Sequence, residues 1–162
     1  MDHIKFSIAL APHEHSGASS RNIMLMVIIA LLPAVIASVL VFSVKVLLIY
    51  TVTVLSCVLF EFLFNKITAR PNSTTDFSAV LTGLLLAMNL PASAPVWLCV
   101  IGAFAAIVVA KMVFGGLGGN PFNPALVGRI FLLISFPVQM TNFALDGVSG
   151  ATVLGAAKTY AQ

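Results

Sequence analysis

The sequence predicts an all-α polytopic membrane protein, built from three long transmembrane helices and two short or broken ones. Three observations carry that expectation. Of the 162 residues, 60% are hydrophobic and only 8% are charged, whereas a soluble domain carries about 25% charged residues. Eight Lys and Arg with five Asp and Glu are too few to cover a water-facing surface. The apolar residues fall in long uncharged runs, separated by breaks rich in Pro, Gly and Ser. This composition argues against a soluble globular enzyme, a disordered tail and a nucleic-acid binder. The net charge of +3 is spread along the chain and makes no phosphate-binding patch. It therefore informs membrane topology rather than the choice of a nucleic-acid partner.

Residues 1–22 read as a cytoplasmic tail. Asp2, His3, Lys5, His13, Glu14, His15 and Arg21 leave no apolar core for a signal peptide. Two His flanking Glu14 in a polar tail are a weak metal signal, and no metal is expected. The first uncharged run spans Ile23 to Val44, 22 residues, with Pro33 near its middle to bend it. Lys45 interrupts, and a second run of 19 residues, Val46 to Phe64, carries only Glu61 near its end. The pair reads as a transmembrane hairpin with a very tight turn. Lys66 and Arg70 follow, and Pro71-Asn72-Ser73 stops the helix. Two spans separate the tail from the 65–76 loop, so both lie on one side. Lys5, Arg21, Lys66 and Arg70 against Lys45 alone place that side in the cytoplasm.

The next run, Phe77 to Leu90, has Asp76 as its expected N-cap. Its 14 residues make a helix of about 21 Å, short of a hydrocarbon core of about 30 Å. Pro91-Ala92-Ser93-Ala94-Pro95 ends it. Val96 to Phe114 is a full-length span with Trp97 as an interfacial anchor and Lys111 snorkelling to the interface. After the loop Gly115-Gly116-Leu117-Gly118-Gly119-Asn120-Pro121-Phe122-Asn123-Pro124, Ala125 to Phe136 is again short, with Arg129 inside it. The membrane domain is thus 23–136. If the two short segments both cross or both turn back, residues 137–162 end outside the cytoplasm; only a mixed case, one crossing and one turning back, puts them inside. Short helices at membrane depth need shielding by protein, and in transport-type folds they point to a binding site. Cys57 and Cys99, both in apolar runs, read as small buried residues.

The tail Asp146-Gly147-Val148-Ser149-Gly150-Ala151-Thr152 is a small-residue loop with two hydroxyls and one acid. Read from physics alone, it is a turn leading to a helix N-cap, and it also has room for a bulky modification at Thr152. Asp-x-x-Ser-Gly-Ala-Thr resembles the acceptor motif of the flavin transferase that attaches FMN to the final Thr through a phosphoester. Asp76-Phe77-Ser78-Ala79-Val80-Leu81-Thr82-Gly83-Leu84-Leu85-Leu86-Ala87, Phe114-Gly115-Gly116-Leu117-Gly118-Gly119-Asn120-Pro121-Phe122-Asn123-Pro124-Ala125 and Phe136-Pro137-Val138-Gln139-Met140-Thr141 resemble one family. It is the RnfD/NqrB family, which joins a membrane component of the Rnf ion-translocating oxidoreductase complex with its homologue in the sodium-translocating NADH:quinone reductase. The short tail with Ala11-Pro12-His13-Glu14-His15 favours the Rnf branch.

The resemblance implies half of an inverted-repeat fold, since the family is about twice this length and this chain matches its N-terminal part. It implies covalent FMN on Thr152, with Asp146, Ser149, Gly150 and Ala151 as the attachment motif. It also implies a riboflavin, and electron flow coupled to Na⁺ or H⁺ transport. The implied partners are the flavin transferase, the lipid bilayer and the other Rnf components, RnfA, RnfB, RnfC, RnfE and RnfG. Two features keep two readings each. The Gly115–Gly119 loop either lets helices pack closely or lines a flavin or ion path. Arg129 pairs with Asp76, Glu61 or a backbone carbonyl, or else contacts an anionic cofactor. A competing function class is a channel or secondary-carrier half with broken helices and no redox cofactor.

Overall fold

A computed structural model of the chain describes residues 19–69, 76–142, 144–145 and 148–149. Helices α1 (Ser20–Phe42) and α2 (Lys45–Ile67) are each 23 residues long, or about 35 Å at ~1.5 Å per residue. Among the described residues these two are long and apolar enough to cross a membrane. Only Ser43 and Val44 separate them. Ser43 reverses the chain at a φ of 77°, and Lys45 is the first residue of α2, so the tight hairpin is present. α1 runs through Pro33 as one helix and buries none of its residues. Met26 and Leu40 are 70% and 80% exposed. An apolar helix with no buried face has the character of a membrane-span candidate rather than of the core helix of a water-soluble domain.

α2 has the opposite polarity to a helix on a soluble core. Thr53, Cys57, Glu61 and Asn65, spaced four apart on one face, are buried. Leu55, Leu59, Phe62 and Leu63 point outward. The buried face packs on α3 (Ser78–Met88), a central 11-residue helix touched by α1, α2, α4 and α5. Its short ends are thereby shielded, as a short apolar helix requires. α3 is shorter than the run Phe77 to Leu90, and Asp76 does not cap it. Phe77 is the N-cap, with a left-handed φ of 57° and no side-chain cap bond. Its carbonyl accepts from Leu81 N at 3.0 Å, and its ring lies 5.2 Å from the Arg21 guanidinium. A cation–π contact to α1 thus accompanies this helix start where a carboxylate cap was expected.

The expected long span at Val96 is a rod of 17 residues. Its first part is α4 (Val96–Phe104), and its last eight residues, Ala105–Met112, are wound as a π-helix. α5 (Pro124–Ser135) follows, capped by the Asn123 side chain, which accepts from Ala125 N at 3.0 Å. α5 runs antiparallel to the rod. Gly102 faces Leu132, and Gly128 faces Ala106 and the Gly102 carbonyl. A short α6 (Pro137–Thr141) comes next. The departure from an all-α chain is a two-residue antiparallel ladder, in which Ala144 pairs with Ser149 and Leu145 with Val148. It forms β1 (Ala144–Leu145) and β2 (Val148–Ser149).

These contacts sort the molecule into two ends. Arg21 and Phe77 meet at one, together with Glu61, Ser78 and Lys111 and the loop after the π segment. At the other lie the α1–α2 link, the 89–95 connection and the end of α5. There Trp97 meets Phe136 edge-on at 5.0 Å, and Ser93 Oγ donates to Asn142 O at 2.5 Å. The chain therefore leaves Asn142 at the end opposite Arg21.

Candidate functional site

The helical bundle holds a buried ionic cluster at the Arg21 end. Lys111 Nζ donates to Glu61 Oε1 at 2.8 Å and to Ser78 Oγ at 2.7 Å. All three residues are buried, Lys111 to 1% exposure and Glu61 to 0%. Asn65, one turn beyond Glu61 on α2, is buried as well. Each member comes from a different element: Glu61 from α2, Ser78 from the first turn of α3, and Lys111 from the π segment. The Ser78 carbonyl is occupied by Thr82 Oγ1 at 2.8 Å, which secures that first turn. Isolated charges at this depth are costly. Paired at hydrogen-bond distance, each offsets the other's desolvation, and loss of either leaves a buried charge.

Lys111 does not snorkel, the outcome expected from its place near the end of an apolar run. The π winding is the structural reason. Val113 N bonds Val108 O at 3.1 Å and Gly116 N bonds Lys111 O at 3.1 Å, both spanning five residues. This wider turn changes where residue 111 points relative to α-helical spacing, and it carries the ammonium inward. π turns inside helices are frequent at functional sites.

The glycine-rich loop hangs from that segment. Gly115, Gly116 and Gly118 have φ of 107°, 90° and 89°, and a Cβ at any of them would meet nothing within 4 Å. Their role is backbone conformation, not close helix packing. The packing glycines lie elsewhere, at Gly83, Gly102 and Gly128 inside helices. The amide of Asn120, oriented nitrogen-inward as its carbonyl surroundings require, donates to Lys111 O at 3.2 Å and to Gly116 O at 2.6 Å.

Arg129 is exposed on α5, and its Nη1 donates to Asn89 Oδ1 at 2.6 Å. The expected partners Asp76 and Glu61 lie at the other end of the bundle, out of reach. α5 instead runs beside α3, so Arg129 meets the residue that caps α3 at its C-terminus. Near the Asn142 end, a cavity of about 350 Å³ is lined by α1, α2, the end of α3 and the 89–95 connection. Its polar lining is the Ser38–Tyr50 hydroxyl pair, 3.1 Å apart; Ser38 Oγ also donates to Val35 O at 2.7 Å.

Of the expected attachment motif, Asp146, Gly150, Ala151 and Thr152 lie outside the described residues, as do His13, Glu14 and His15. Ser149 is placed by its backbone alone, in β2. Cys57 and Cys99 are free and buried. Motifs alone do not anticipate the Glu61–Lys111–Ser78 cluster. The available signal is the run Thr53, Cys57, Glu61, Asn65, four non-aliphatic residues at helical spacing in an otherwise apolar span.

A model of the NQR2, RnfD, RnfE family matches residues 7–162. The chain belongs to the NQR2, RnfD, RnfE family. Curated relatives agree in character. A protein of Mannheimia succiniciproducens is 46% identical over 140 residues, which is 85% of this chain and 40% of that protein. One of Escherichia fergusonii is 42% identical over 156 residues, 95% of this chain and 44% of the relative. One of Yersinia enterocolitica is 46% identical over 138 residues, 84% and 39% of the two chains. Each of the three is named as the D component of an ion-translocating oxidoreductase complex. The chain spans about two-fifths of the length of these relatives. Within the family match lie the hairpin, the central short helix, the buried cluster and the glycine-rich loop.

Proposed function

We propose that this chain works as part of a membrane electron-transfer subunit of an ion-translocating oxidoreductase complex, a translocase that couples electron flow to Na⁺ or H⁺ movement. The observation that carries the reading is the likeness, over most of the chain, to relatives named as the D component of such a complex. In this reading Thr152 carries FMN through a phosphoester, and Asp146, Ser149, Gly150 and Ala151 are the motif by which a flavin transferase recognises it. A flavin so held supplies one- or two-electron transfer.

The residues of this chain fit such a group in two respects. Ser93 ties Asn142 to the 89–95 connection, and the β1–β2 ladder pairs the backbone just before Gly150. Ser149 of the motif lies in β2, and the segment that leads to it is anchored at one end of the bundle, the end that also holds the apolar cavity with its Ser38–Tyr50 hydroxyl pair. The small residues Gly150 and Ala151 leave room for a phosphate beside the backbone.

The membrane topology belongs to the same proposal. Lys5, Arg21, Lys66 and Arg70 mark the cytoplasmic side. In this reading Thr152 lies outside the cytoplasm in the inner membrane, which is supported by the position of Asn142 at the end opposite Arg21. The short helices α3 and α5, and the rod that joins α4 to the π segment, act as the remaining crossings. The other components of the complex and a second, riboflavin-type flavin are the further partners of this reading.

The test uses the full-length protein, produced with its complex and a flavin transferase. In-gel flavin fluorescence and a mass increase of one FMN are expected, and Thr152→Val should lose both completely. Fluorescence that survives the substitution would overturn the attachment site. A parent protein that matures without flavin would favour a channel or carrier half instead. Topology has a separate readout. Ser149→Cys should react with an impermeant thiol reagent added outside intact cells, and labelling only after permeabilisation would reverse the orientation.

A further inference from the structure

Lys111 makes two sets of contacts that point in different directions. Its ammonium is seated between Glu61 of α2 and Ser78 of α3. Its carbonyl accepts from Gly116 N at 3.1 Å and from the Asn120 amide at 3.2 Å. The same amide donates to Gly116 O at 2.6 Å, and Gly119 N donates to that oxygen at 3.2 Å. The loop thus folds around two carbonyls, one of which belongs to the residue whose side chain is locked in the ionic cluster.

We propose that Lys111 is the positioning residue of the glycine-rich loop. The buried Glu61–Lys111–Ser78 contact sets where the Lys111 carbonyl lies, and that carbonyl sets where residues 115–120 lie. A change of charge at Glu61, on a different helix, is passed to the loop through one backbone unit.

Three features make the linkage stiff at one end and yielding at the other. The lysine is held by a charge-assisted bond, about twice as strong as a neutral one, between side chains that are both buried. The π segment ends at Met112, so a single residue separates the anchor from the start of the loop turn at Val113. The loop itself has left-handed glycines at positions 115, 116 and 118, where a Cβ would meet nothing within 4 Å, and Gly115 and Gly118 are exposed. A segment with so little packed against it opens locally at low cost. This linkage stands without the covalent-flavin reading.

The experiment measures loop opening in the full-length protein in its native membrane, with exposed native cysteines replaced. Leu117→Cys is the reporter in the loop, where the native side chain is 41% exposed. Val44→Cys, at a position 71% exposed, reports on the opposite end of the bundle. The rate of reaction with a membrane-permeant maleimide is followed in three backgrounds: parent, Asn120→Ala and Glu61→Gln. The last keeps a hydrogen-bond acceptor for Lys111 and removes the charge. Both substitutions should raise labelling at 117 by about fivefold, the factor that ~1 kcal/mol corresponds to, and leave labelling at 44 unchanged. An increase with Asn120→Ala but none with Glu61→Gln would overturn the linkage, because the loop would then be held without regard to the cluster. No increase with Asn120→Ala would overturn it at the carbonyl. Equal increases at 117 and 44 would also overturn it, because they report general loosening rather than a directed effect.

Discussion

Lys111→Met is expected to lower the stability of the folded protein by about 3–5 kcal/mol, the cost of breaking a buried ion pair by removing one partner. Methionine is an unbranched, flexible side chain that follows the path of the lysine stem, so the packing of Lys111 against the bundle is largely kept. What is lost is the charge opposite Glu61, which is fully buried. The glutamate cannot be rehydrated without opening the contact of α2 with α3 and the π segment. The double substitution Lys111→Met with Glu61→Met should recover most of the loss, since it leaves no charge inside. Thermal or denaturant unfolding of the purified full-length protein in detergent checks both. A single substitution costing under about 1 kcal/mol, within the range of a surface ion pair, would mean that the pair is hydrated and that the cluster is not buried as described.

Gly83→Ala is expected to cost about 1–3 kcal/mol through overpacking, in contrast to Gly102→Ala. A Cβ at Gly83 would lie 2.8 Å from Val54 Cα, a backbone atom, and 3.3 Å from both Cβ and Sγ of Cys57. α2 cannot move away without disturbing the face that carries Glu61. At Gly102 the nearest atom, at 2.6 Å, is Leu132 Cδ1, the far end of a side chain that can rotate. Replacing a helical glycine also gains about 0.5–1 kcal/mol of backbone entropy. That gain offsets the small repacking at Gly102 and not the backbone clash at Gly83. Equal effects at the two positions, in the same unfolding measurement, would show that α2 and α3 do not approach as closely as described.

Both expectations rest on features that differ in how far they are legible in the amino-acid order. The first two helices are legible because an uncharged apolar run of this length has few alternatives to a helix in lipid. Their hairpin follows from Lys45 alone. The 12-residue length of α5 follows from its flanking prolines, since Pro124 sits at the first helical turn and Pro137 begins the next element. The start of α3 is less legible. Asp76 has the chemistry of a cap, yet Phe77 takes that place while its ring lies by Arg21, a residue far earlier in the chain.

The buried cluster is not legible as a cluster. Glu61 and Lys111 are visible as charges near the ends of apolar runs, and for such a lysine the local rule is snorkelling. Their separations of 50 residues from each other and 33 from Lys111 to Ser78 carry no local pattern. The π winding that turns Lys111 inward is equally absent from hydrophobic spacing, because an apolar run without polar punctuation has no phase from which to read the period. The glycines behave likewise. Composition cannot separate Gly115, Gly116 and Gly118, needed for left-handed backbone, from Gly83 and Gly128, needed for room.

The two long apolar helices, the length of α5 and the candidate attachment motif follow from neighbouring residues and from the solvent they must satisfy. Which charges meet, which glycines allow contact and which way Lys111 faces depend on elements far apart in the chain. Those pairings exist only once α2, α3 and the π segment pack together, because desolvation then makes an unpaired charge more costly than the constraint of pairing it.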